Sequence, residues 1–408
     1  MTSVSTAVRM LTAFISTKVA AILIGPPGVA LVGQLQNFST IVMAIATGGI
    51  NLGVTKYVAE YKNSKQKVRL FISTALRINL VLSAMVGILM IVFSSFLSYK
   101  LFHTYEYQLV LIIFGFTIIL YALNTLLISI LNGFKEFKKF VIINIAASLT
   151  GLVFSVSLIF LLGILGALIS VVTYQSIVVV VTIIMLTKTE WFNLNYFNFG
   201  FSKFALKKYL GYTLMVLVSS FSLPIASIII RNYITTNLSM NDAGIWEGVN
   251  QVSAIVLMFI NSTLLTYYIP RLSEINDKKL LQKEIKTTAQ ILVPIVFILC
   301  LFIFISKEFI ILVLFSSAFL KMKELFLFQI IGLFFKIISL LVANLMHAKA
   351  KTFTFIISEI TFSGLYVVLS IFFINFYGLV GVSIAYFLNY FIYLFTMILI
   401  FKNLLFIK

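Results

Sequence analysis

Long apolar stretches alternate with short polar ones along the chain. A transmembrane helix needs about 20 predominantly apolar residues, and twelve stretches meet that requirement. They are predicted at residues 4–24, 31–52, 70–96, 108–131, 140–162, 164–187, 209–231, 245–269, 287–306, 325–346, 354–375 and 379–401. The pattern therefore predicts an all-α polytopic membrane protein.

The pattern also repeats at about half the chain length. The motif Gly-Ile-Leu-Gly-Ala at 163–167 recurs as Gly-Leu-Val-Gly-Val at 378–382, an offset of 215 residues. The same offset, within one residue, relates Gly28 to Gly244 and Glu60 to Glu274. A duplicated helix bundle is typical of secondary transporters. We predict two six-helix pseudo-repeats, residues 1–187 and 209–408, joined by a cytoplasmic linker at 188–208.

The composition excludes several classes of protein. Hydrophobic residues make up 61% of the chain, charged residues 10%, and the mean hydropathy is +1.12, far outside the range of soluble domains. Cys300 is the lone cysteine and there are two histidines, so neither an internal disulfide nor a Cys/His zinc site is predicted. No Walker loop, paired acids or Ser/His/Asp arrangement is present. We therefore predict no enzyme activity, no metal and no cofactor.

The basic residues between the predicted spans concentrate on one side of the membrane. One set of loops carries most of the lysines and arginines; the other offers only Lys100, Lys307, Lys321 and Lys323, with Arg231 at a border. Cytoplasmic loops carry an excess of Lys and Arg, so the rich set and both termini, including Lys408, are predicted in the cytoplasm. Because the net charge of +18 lies on loops between spans, no nucleic-acid partner is predicted.

Ionisable residues within predicted spans are candidates for function, because burying charge in hydrocarbon is costly. The set is Arg9, Lys18, Arg77, Arg231, Lys336, Glu247 and Glu359. An excess of cations predicts a positively charged cavity, which suits an anionic cargo since Arg and Lys pair well with phosphate. Lys336 lies mid-span, too deep to reach water through lipid, and should face a cavity or a counter-ion.

The other candidates allow two interpretations each. Lys18 and Arg231 lie near the outer ends of their spans, where snorkelling to headgroups is an alternative to lining a cavity. The same alternative holds for Arg9 and Arg77 at the cytoplasmic side. Nine residues at 100° each place Arg9 and Lys18 on opposite helix faces, so one regular helix cannot aim both at one cavity.

The acidic candidates also have structural interpretations. Glu359 is about one turn inside its span, and we expect a solvated pair with Lys351 or Lys349. Asp242 and Glu247 open the eighth span at the outer surface, where helix capping or headgroup contact is expected. Proton or sodium coupling is the alternative role for these acids.

Several motifs together resemble a known family. They are Gly-Pro-Pro-Gly at 25–28, Gly-Val-Thr-Lys-Tyr-Val-Ala-Glu-Tyr at 53–61, Asp-Ala-Gly-Ile-Trp-Glu-Gly-Val at 242–249, Pro-Arg-Leu-Ser at 270–273, Leu-Phe-Ser at 314–316 with Phe319, Gln-Ile-Ile-Gly at 329–332 with Lys336, and Ala-Lys-Ala at 348–350. Over the whole length the chain resembles the Wzx-type flippases of O-antigen and enterobacterial common antigen. These belong to the multidrug/oligosaccharidyl-lipid/polysaccharide exporter superfamily.

The resemblance implies a V-shaped transporter that works by alternating access. Its cargo would be an undecaprenyl-pyrophosphate-linked oligosaccharide, an O-antigen unit or lipid III, moved from the cytoplasmic to the periplasmic leaflet of the bacterial inner membrane. For such a cargo, the cations within the predicted spans are the expected substrate-binding residues: Arg9, Lys18, Arg77, Lys336 and Arg231. Membrane lipids, a glycan polymerase, a chain-length regulator and a coupling H⁺ or Na⁺ are the implied partners.

At one position this sequence differs from the family pattern by a charged residue. The family's Trp-Gln-Gly reads Trp246-Glu247-Gly248 here, which we expect to add a negative charge at the outer mouth.

Two other functions stay open at this stage. A multidrug or metabolite antiporter of the same superfamily would use buried carboxylates for ion coupling, and only Glu247 and Glu359 are available. A non-transporting scaffold of a glycan-assembly complex would leave the mid-span cations without a role.

Overall fold

The computed structural model describes residues 2–189, 191–198, 200–349 and 351–405, most of which are helical. Ala350 of the motif at 348–350 and Lys408 of the predicted cytoplasmic tail lie outside the described residues.

Seven helices form the first part of the chain. In order they are α1 (Thr2–Leu23), α2 (Gly25–Ala46), α3 (Asn51–Glu60), α4 (Lys65–Val92), α5 (Ser94–Phe102), α6 (Gln108–Gly133) and α7 (Phe137–Thr187). A short 3₁₀ helix, Leu194–Tyr196, follows α7.

The rest of the chain is helical as well. The elements are α8 (Lys203–Asn237), α9 (Met240–Thr263), a π-helical turn (Leu264–Tyr268), α10 (Ile269–Glu274), α11 (Lys278–Ile305), α12 (Lys307–Leu314), a 3₁₀ segment (Ser317–Glu324), α13 (Phe326–Ala348), α14 (Thr352–Tyr377), α15 (Val380–Ile400) and α16 (Lys402–Leu405).

The described part of the chain contains 11 helices that are long and apolar enough to cross a membrane, so the protein is a multi-pass membrane protein. One of them, α7, has 51 residues and would be about 75 Å long as a straight helix, against an apolar bilayer thickness of about 30 Å. At Gly163 the backbone leaves helical geometry, with φ 57° and ψ −129°. The helix therefore holds two spans, which agrees with the twelve predicted.

The glycines that suggested a duplication adopt the same backbone conformation in both halves of the chain. Gly163 has φ 57° and ψ −129°, and Gly378 has φ 57° and ψ −140°. Positive φ is readily accessible only to glycine. Three residues on, a Cβ at Gly166 would lie 1.8 Å from the Leu158 carbonyl oxygen, and one at Gly381 would lie 2.2 Å from that of Phe373.

The turn that precedes each of these helices repeats too. Glu136, before α7, has φ −79° and ψ 56°, while Lys351, before α14, has φ −79° and ψ 62°. The Glu136 amide donates to the Leu131 carbonyl at 3.1 Å, and the Lys351 amide donates to that of Met346 at 2.8 Å. All these pairs share the 215-residue offset, so the sequence repeat is a structural repeat.

The chain forms two compact units. The N-terminal unit comprises Met1–Ile24 and Leu31–Pro224, and the C-terminal unit comprises Gly25–Ala30 and Ile225–Lys408. The division predicted from the sequence, at 188–208, stays a prediction.

Helix α2 (Gly25–Ala46) begins six residues before the predicted span at 31–52 and also ends six residues before the end of that span. Pro26 and Pro27 occupy its first turn, where their missing N–H groups cost nothing. After its last turn, Gly48 and Gly49 have φ of 61° and 62° and turn the chain. The Gly-Pro-Pro-Gly motif is thus the start of a helix, and a Cβ at Gly244 would lie 1.8 Å from the Pro26 carbonyl oxygen.

The segment 188–208 packs on the N-terminal unit. The Trp191 ring stacks 3.8 Å from that of Phe134, and its Nε1 donates to Glu136 Oε1 at 3.1 Å. Further on, Ser73 Oγ donates to the Tyr196 carbonyl at 3.0 Å. The segment is therefore held in place by specific contacts.

Candidate functional site

A polar pocket of about 390 Å³ lies in the N-terminal unit between α1, α2 and both parts of α7. We call it the Arg9 pocket. Its polar lining consists of Arg9, Thr12, Ser16, Gln36, Asn144, Ser148, Ser155, Ser170, Tyr174 and Gln175. None of the described residues that line it is acidic.

Local packing fixes the walls of the Arg9 pocket. Gln175 Oε1 accepts from Asn124 Nδ2 at 3.1 Å, and Thr182 Oγ1 donates to Asn124 Oδ1 at 2.6 Å. Across α7, a Cβ at Gly151 would lie 3.2 Å from Tyr174, so the absence of a side chain there lets the tyrosine pack closely. These contacts hold an amide and a phenol at the pocket wall.

The pocket lining includes Arg9 but not Lys18. This agrees with the prediction that the two residues occupy opposite faces of α1. A guanidinium among hydroxyls and amides suits an anionic, hydroxyl-rich ligand, because Arg binds phosphate and carboxylate bidentately.

A second polar group lies in the C-terminal unit, where α13, α14 and α15 pack together. The Lys336 Nζ lies 4.5 Å from the ring centroid of Tyr390 and 5.5 Å from that of Tyr386. Tyr386 in turn contacts Tyr390 at 4.8 Å and Tyr366 at 5.9 Å between ring centroids. We call Lys336, Glu359, Tyr366, Tyr386 and Tyr390 the Lys336 cluster.

Glu359 belongs to the Lys336 cluster and not to a solvated pair. The expected pairing with Lys349 or Lys351 is wrong. Lys349 Nζ donates to the Ile275 carbonyl at 2.6 Å, and Lys351 lies over the Phe401 ring at 4.7 Å. The Glu359 carboxylate instead interacts electrostatically with Lys336. In the described structure the two do not approach within the 4.0 Å that defines an ion pair.

Two helices of the Lys336 cluster carry further buried polar atoms. Ser370 Oγ on α14 and Ser383 Oγ and Asn389 Oδ1 on α15 are buried and lack a hydrogen-bond partner in the described structure. Buried polar atoms are nearly always paired with protein, solvent or ligand. Water or a polar ligand would therefore satisfy these atoms.

Arg231 and Glu247 form a buried ion pair in the C-terminal unit. Arg231 Nη2 donates to Glu247 Oε2, and the guanidinium lies 5.3 Å from the Trp246 ring centroid. Arg231 is 2% exposed and Glu247 8% exposed. Neither side chain reaches the headgroups, so the snorkelling interpretation of Arg231 and the headgroup interpretation of Glu247 are wrong. The acid does not add an uncompensated charge at an outer mouth.

Asp242 lies in the first turn of α9, where Ser239 and not Asp242 is the capping residue, so the expected cap by Asp242 is wrong. Its amide donates to Ser239 Oγ at 3.0 Å, and Ser239 Oγ donates to its carboxylate at 2.7 Å. The other carboxylate oxygen pairs with Lys321 Nζ at 2.6 Å. These contacts assign Asp242 to the start of α9.

Two predicted cations remain. Arg77 is exposed on α4 and Lys18 is half-buried on α1. Among the described residues, no group of three or more His, Cys, Asp or Glu side chains is arranged to hold a metal ion.

The tyrosines of the Lys336 cluster were missed by sequence reasoning. Tyr386, Tyr390 and Tyr393 follow one another at steps of four and three residues along α15. That spacing keeps them on one helix face, a signal visible in the sequence. Tyrosines are also common at membrane interfaces, and nothing local marks these as partners of Lys336.

Comparison with known structures identifies the fold. An inward-facing multidrug resistance MATE family transporter of the MOP superfamily matches with a TM-score of 0.81 and 16% identity, covering 97% of this chain and 94% of that one. An outward-facing transporter of the same family matches with a TM-score of 0.68 and 15% identity, covering 98% and 94%.

Comparison of sequences gives more specific relatives. The lipid III flippase of Escherichia coli K12 is 28% identical over 360 residues, which is 88% of this chain and 86% of the relative. The lipid III flippase of Shigella flexneri matches to the same extent. The model of the polysaccharide biosynthesis protein family matches residues 1–276. The chain therefore belongs to the polysaccharide biosynthesis protein family and has the fold of the MATE transporters.

Proposed function

We propose that the protein is a flippase. Its cargo is a polyprenyl-pyrophosphate-linked oligosaccharide, an O-antigen unit or lipid III, moved from the cytoplasmic to the periplasmic leaflet by alternating access. The observation that carries the proposal is the position of Lys336, a cation within a membrane span that is held by two tyrosine rings.

The charge of the cargo makes such a cation necessary. A single charge costs at least about 3 kcal/mol at the centre of a bilayer, and a pyrophosphate carries more than one. The tyrosine faces hold the Lys336 ammonium by cation–π attraction without neutralising it. Glu359 also interacts with this ammonium but forms no ion pair with it in the described structure, so the charge is available to attract and screen the pyrophosphate.

The other polar groups take supporting roles in this proposal. The Arg9 pocket offers a guanidinium, amides and hydroxyls to the polar part of the cargo. Arg77 and Lys18 add positive charge along the route. The charge of Arg231 is matched by Glu247, so we assign Arg231 to positioning Trp246. The polyprenyl tail stays in the bilayer.

The proposed setting is the bacterial inner membrane with both termini in the cytoplasm, on the charge asymmetry of the loops. Transport, not catalysis, is the proposed activity. A glycan polymerase and a chain-length regulator are proposed partners. Glu359 is the candidate for H⁺ or Na⁺ coupling, because it lies in a span next to Lys336.

The test is the sidedness of the lipid-linked glycan in cells that lack this protein and any other flippase. We expect the glycan to accumulate on the cytoplasmic face and to be released by the wild-type chain. An unchanged distribution in the depleted cells would contradict the proposal.

The alternative is a cation-coupled multidrug or metabolite antiporter. In that case the Glu359 carboxylate, which lies in a span, would bind the coupling cation. In the same strain, restored drug tolerance without restored glycan sidedness would favour the antiporter. Restored sidedness that survives Glu359→Gln would count against it.

A further inference from the structure

Three exposed lysines of the N-terminal unit lie over aromatic rings where α3, α4 and α8 meet. Lys67 Nζ lies 4.8 Å from the Tyr61 ring centroid. Lys56 Nζ lies 5.5 Å from the Tyr57 centroid. Lys208 Nζ lies 6.0 Å from the Tyr57 ring and 5.8 Å from that of Phe204. We call these three lysines and three aromatic residues the basic aromatic surface.

The rings rest on a packed aromatic layer. Phe71 stacks on Tyr57 at 4.9 Å and on Tyr61 at 5.3 Å between centroids, and Tyr209 meets both Tyr57 and Phe71 edge-on. The Tyr209 hydroxyl donates to the Phe71 carbonyl at 3.0 Å. The lysines are thus placed by a rigid base.

Large apolar side chains are exposed beside the lysines. Phe204 is 57% exposed, Leu210 56% and Leu52 62%. Lysines bordered by exposed Phe and Leu are typical of protein surfaces at headgroup depth, where the apolar groups enter the acyl boundary and the ammonium groups reach phosphates.

The charged residues of this region are almost all basic. Residues 51–70 and 201–212 contain eight Lys or Arg and a single acid, Glu60. Anionic lipids attract such clusters strongly at the cytoplasmic leaflet. Cation–π contacts also limit the motion of the ammonium groups, which lowers the entropy lost when they bind an anion.

We propose that the basic aromatic surface binds the headgroups of anionic phospholipids, phosphatidylglycerol being the probe of choice. The lipid is a partner distinct from the transported glycan. The assignment to the cytoplasmic leaflet rests on the proposed topology, and the binding itself does not depend on the identity of the cargo.

The test compares two variants that remove the same charge. One carries Lys56→Gln, Lys67→Gln and Lys208→Gln. The control carries Lys278→Gln, Lys279→Gln and Lys283→Gln on α11. These three lysines are also exposed, but they lie over no aromatic ring in the described structure. Full-length proteins are titrated with phosphatidylglycerol in phosphatidylcholine nanodiscs, and bound lipid is counted by native mass spectrometry.

We expect the first variant to bind phosphatidylglycerol at least about tenfold more weakly than wild type. The α11 control should bind like wild type, and a Lys-to-Arg version of the first variant should keep binding. Equal losses in both Gln variants would show a general attraction of basic loops and overturn the proposal. Unchanged binding in the first variant would also overturn it. Because no glycan is present, a failure here is separate from a failure of the flippase proposal.

Discussion

Arg231 on α8 forms a buried ion pair with Glu247 on α9, and the same guanidinium lies over the ring of Trp246. Removing one partner of such a pair leaves an uncompensated charge, which costs more than the pair itself contributes. The pair therefore ties the start of α9 to α8 in the C-terminal unit.

Glu247→Gln should lower the stability of the protein by about 3–5 kcal/mol, because it leaves the Arg231 charge buried without its carboxylate. The measurement is thermal unfolding in detergent. The double variant Arg231→Met/Glu247→Leu should recover most of the loss, since replacing both charges by apolar groups is often neutral. If Glu247→Gln unfolds at the wild-type temperature, the ion pair does not contribute to the stability of the protein.

The repeated glycines give a second prediction. Gly166→Ala and Gly381→Ala would each force a Cβ against a carbonyl oxygen, so each should destabilise the protein by about 1–3 kcal/mol or more. Gly364→Ala is the matched control, because a Cβ there meets nothing within 4 Å. The control should be neutral or stabilising by up to about 1 kcal/mol. Equal effects at all three positions in a melting experiment would contradict the proposed role of the close contacts.

The docking of the segment 188–208 is testable by proteolysis. Trp191→Ala removes a ring stack and a hydrogen bond, worth about 2 kcal/mol together, and should raise the open population of the segment about tenfold or more. Trypsin cleavage at Lys188 and Lys203 should accelerate accordingly. Leu194→Ala, at a position 74% exposed, is the control and should leave cleavage unchanged. Similar rates in wild type and Trp191→Ala would show that these contacts do not hold the segment.

The Arg9 pocket predicts a difference between two cations on one helix. Arg9→Gln should reduce glycan translocation about 10–100-fold, the loss expected when one charge-assisted hydrogen bond is removed. Lys18→Gln, outside the pocket, should have a clearly smaller effect. The measurement is the translocation rate of a lipid-linked glycan in proteoliposomes. A larger loss for Lys18→Gln than for Arg9→Gln would reject the assignment.

The sequence predicted the spans well because hydrophobic length and helix formation are directly linked in a membrane. It also located the break at Gly163, where the glycine motif separates two apolar runs. It misplaced the start of α2, because Pro26 and Pro27 suggest a turn and also suit the first turn of a helix.

The candidate site was predicted less completely. The depth of Lys336 in its span follows from counting residues, and so does the opposition of Arg9 and Lys18. The partners of these side chains do not, because they depend on which helices pack together. Glu359 was assigned to nearby lysines, yet α13 lies beside α14 and brings it to Lys336. Arg231 was placed near the outer surface, but the packing of α9 buries it with Glu247.

The central claim is that Lys336 screens the pyrophosphate during crossing. The most direct test is translocation of a polyprenyl-pyrophosphate glycan in proteoliposomes containing wild type, Lys336→Met or Lys336→Arg at equal amounts of folded protein. We predict that Lys336→Met loses at least about tenfold in rate and that Lys336→Arg keeps most of it, because a cation is retained. Translocation by Lys336→Met at the wild-type rate would contradict the account.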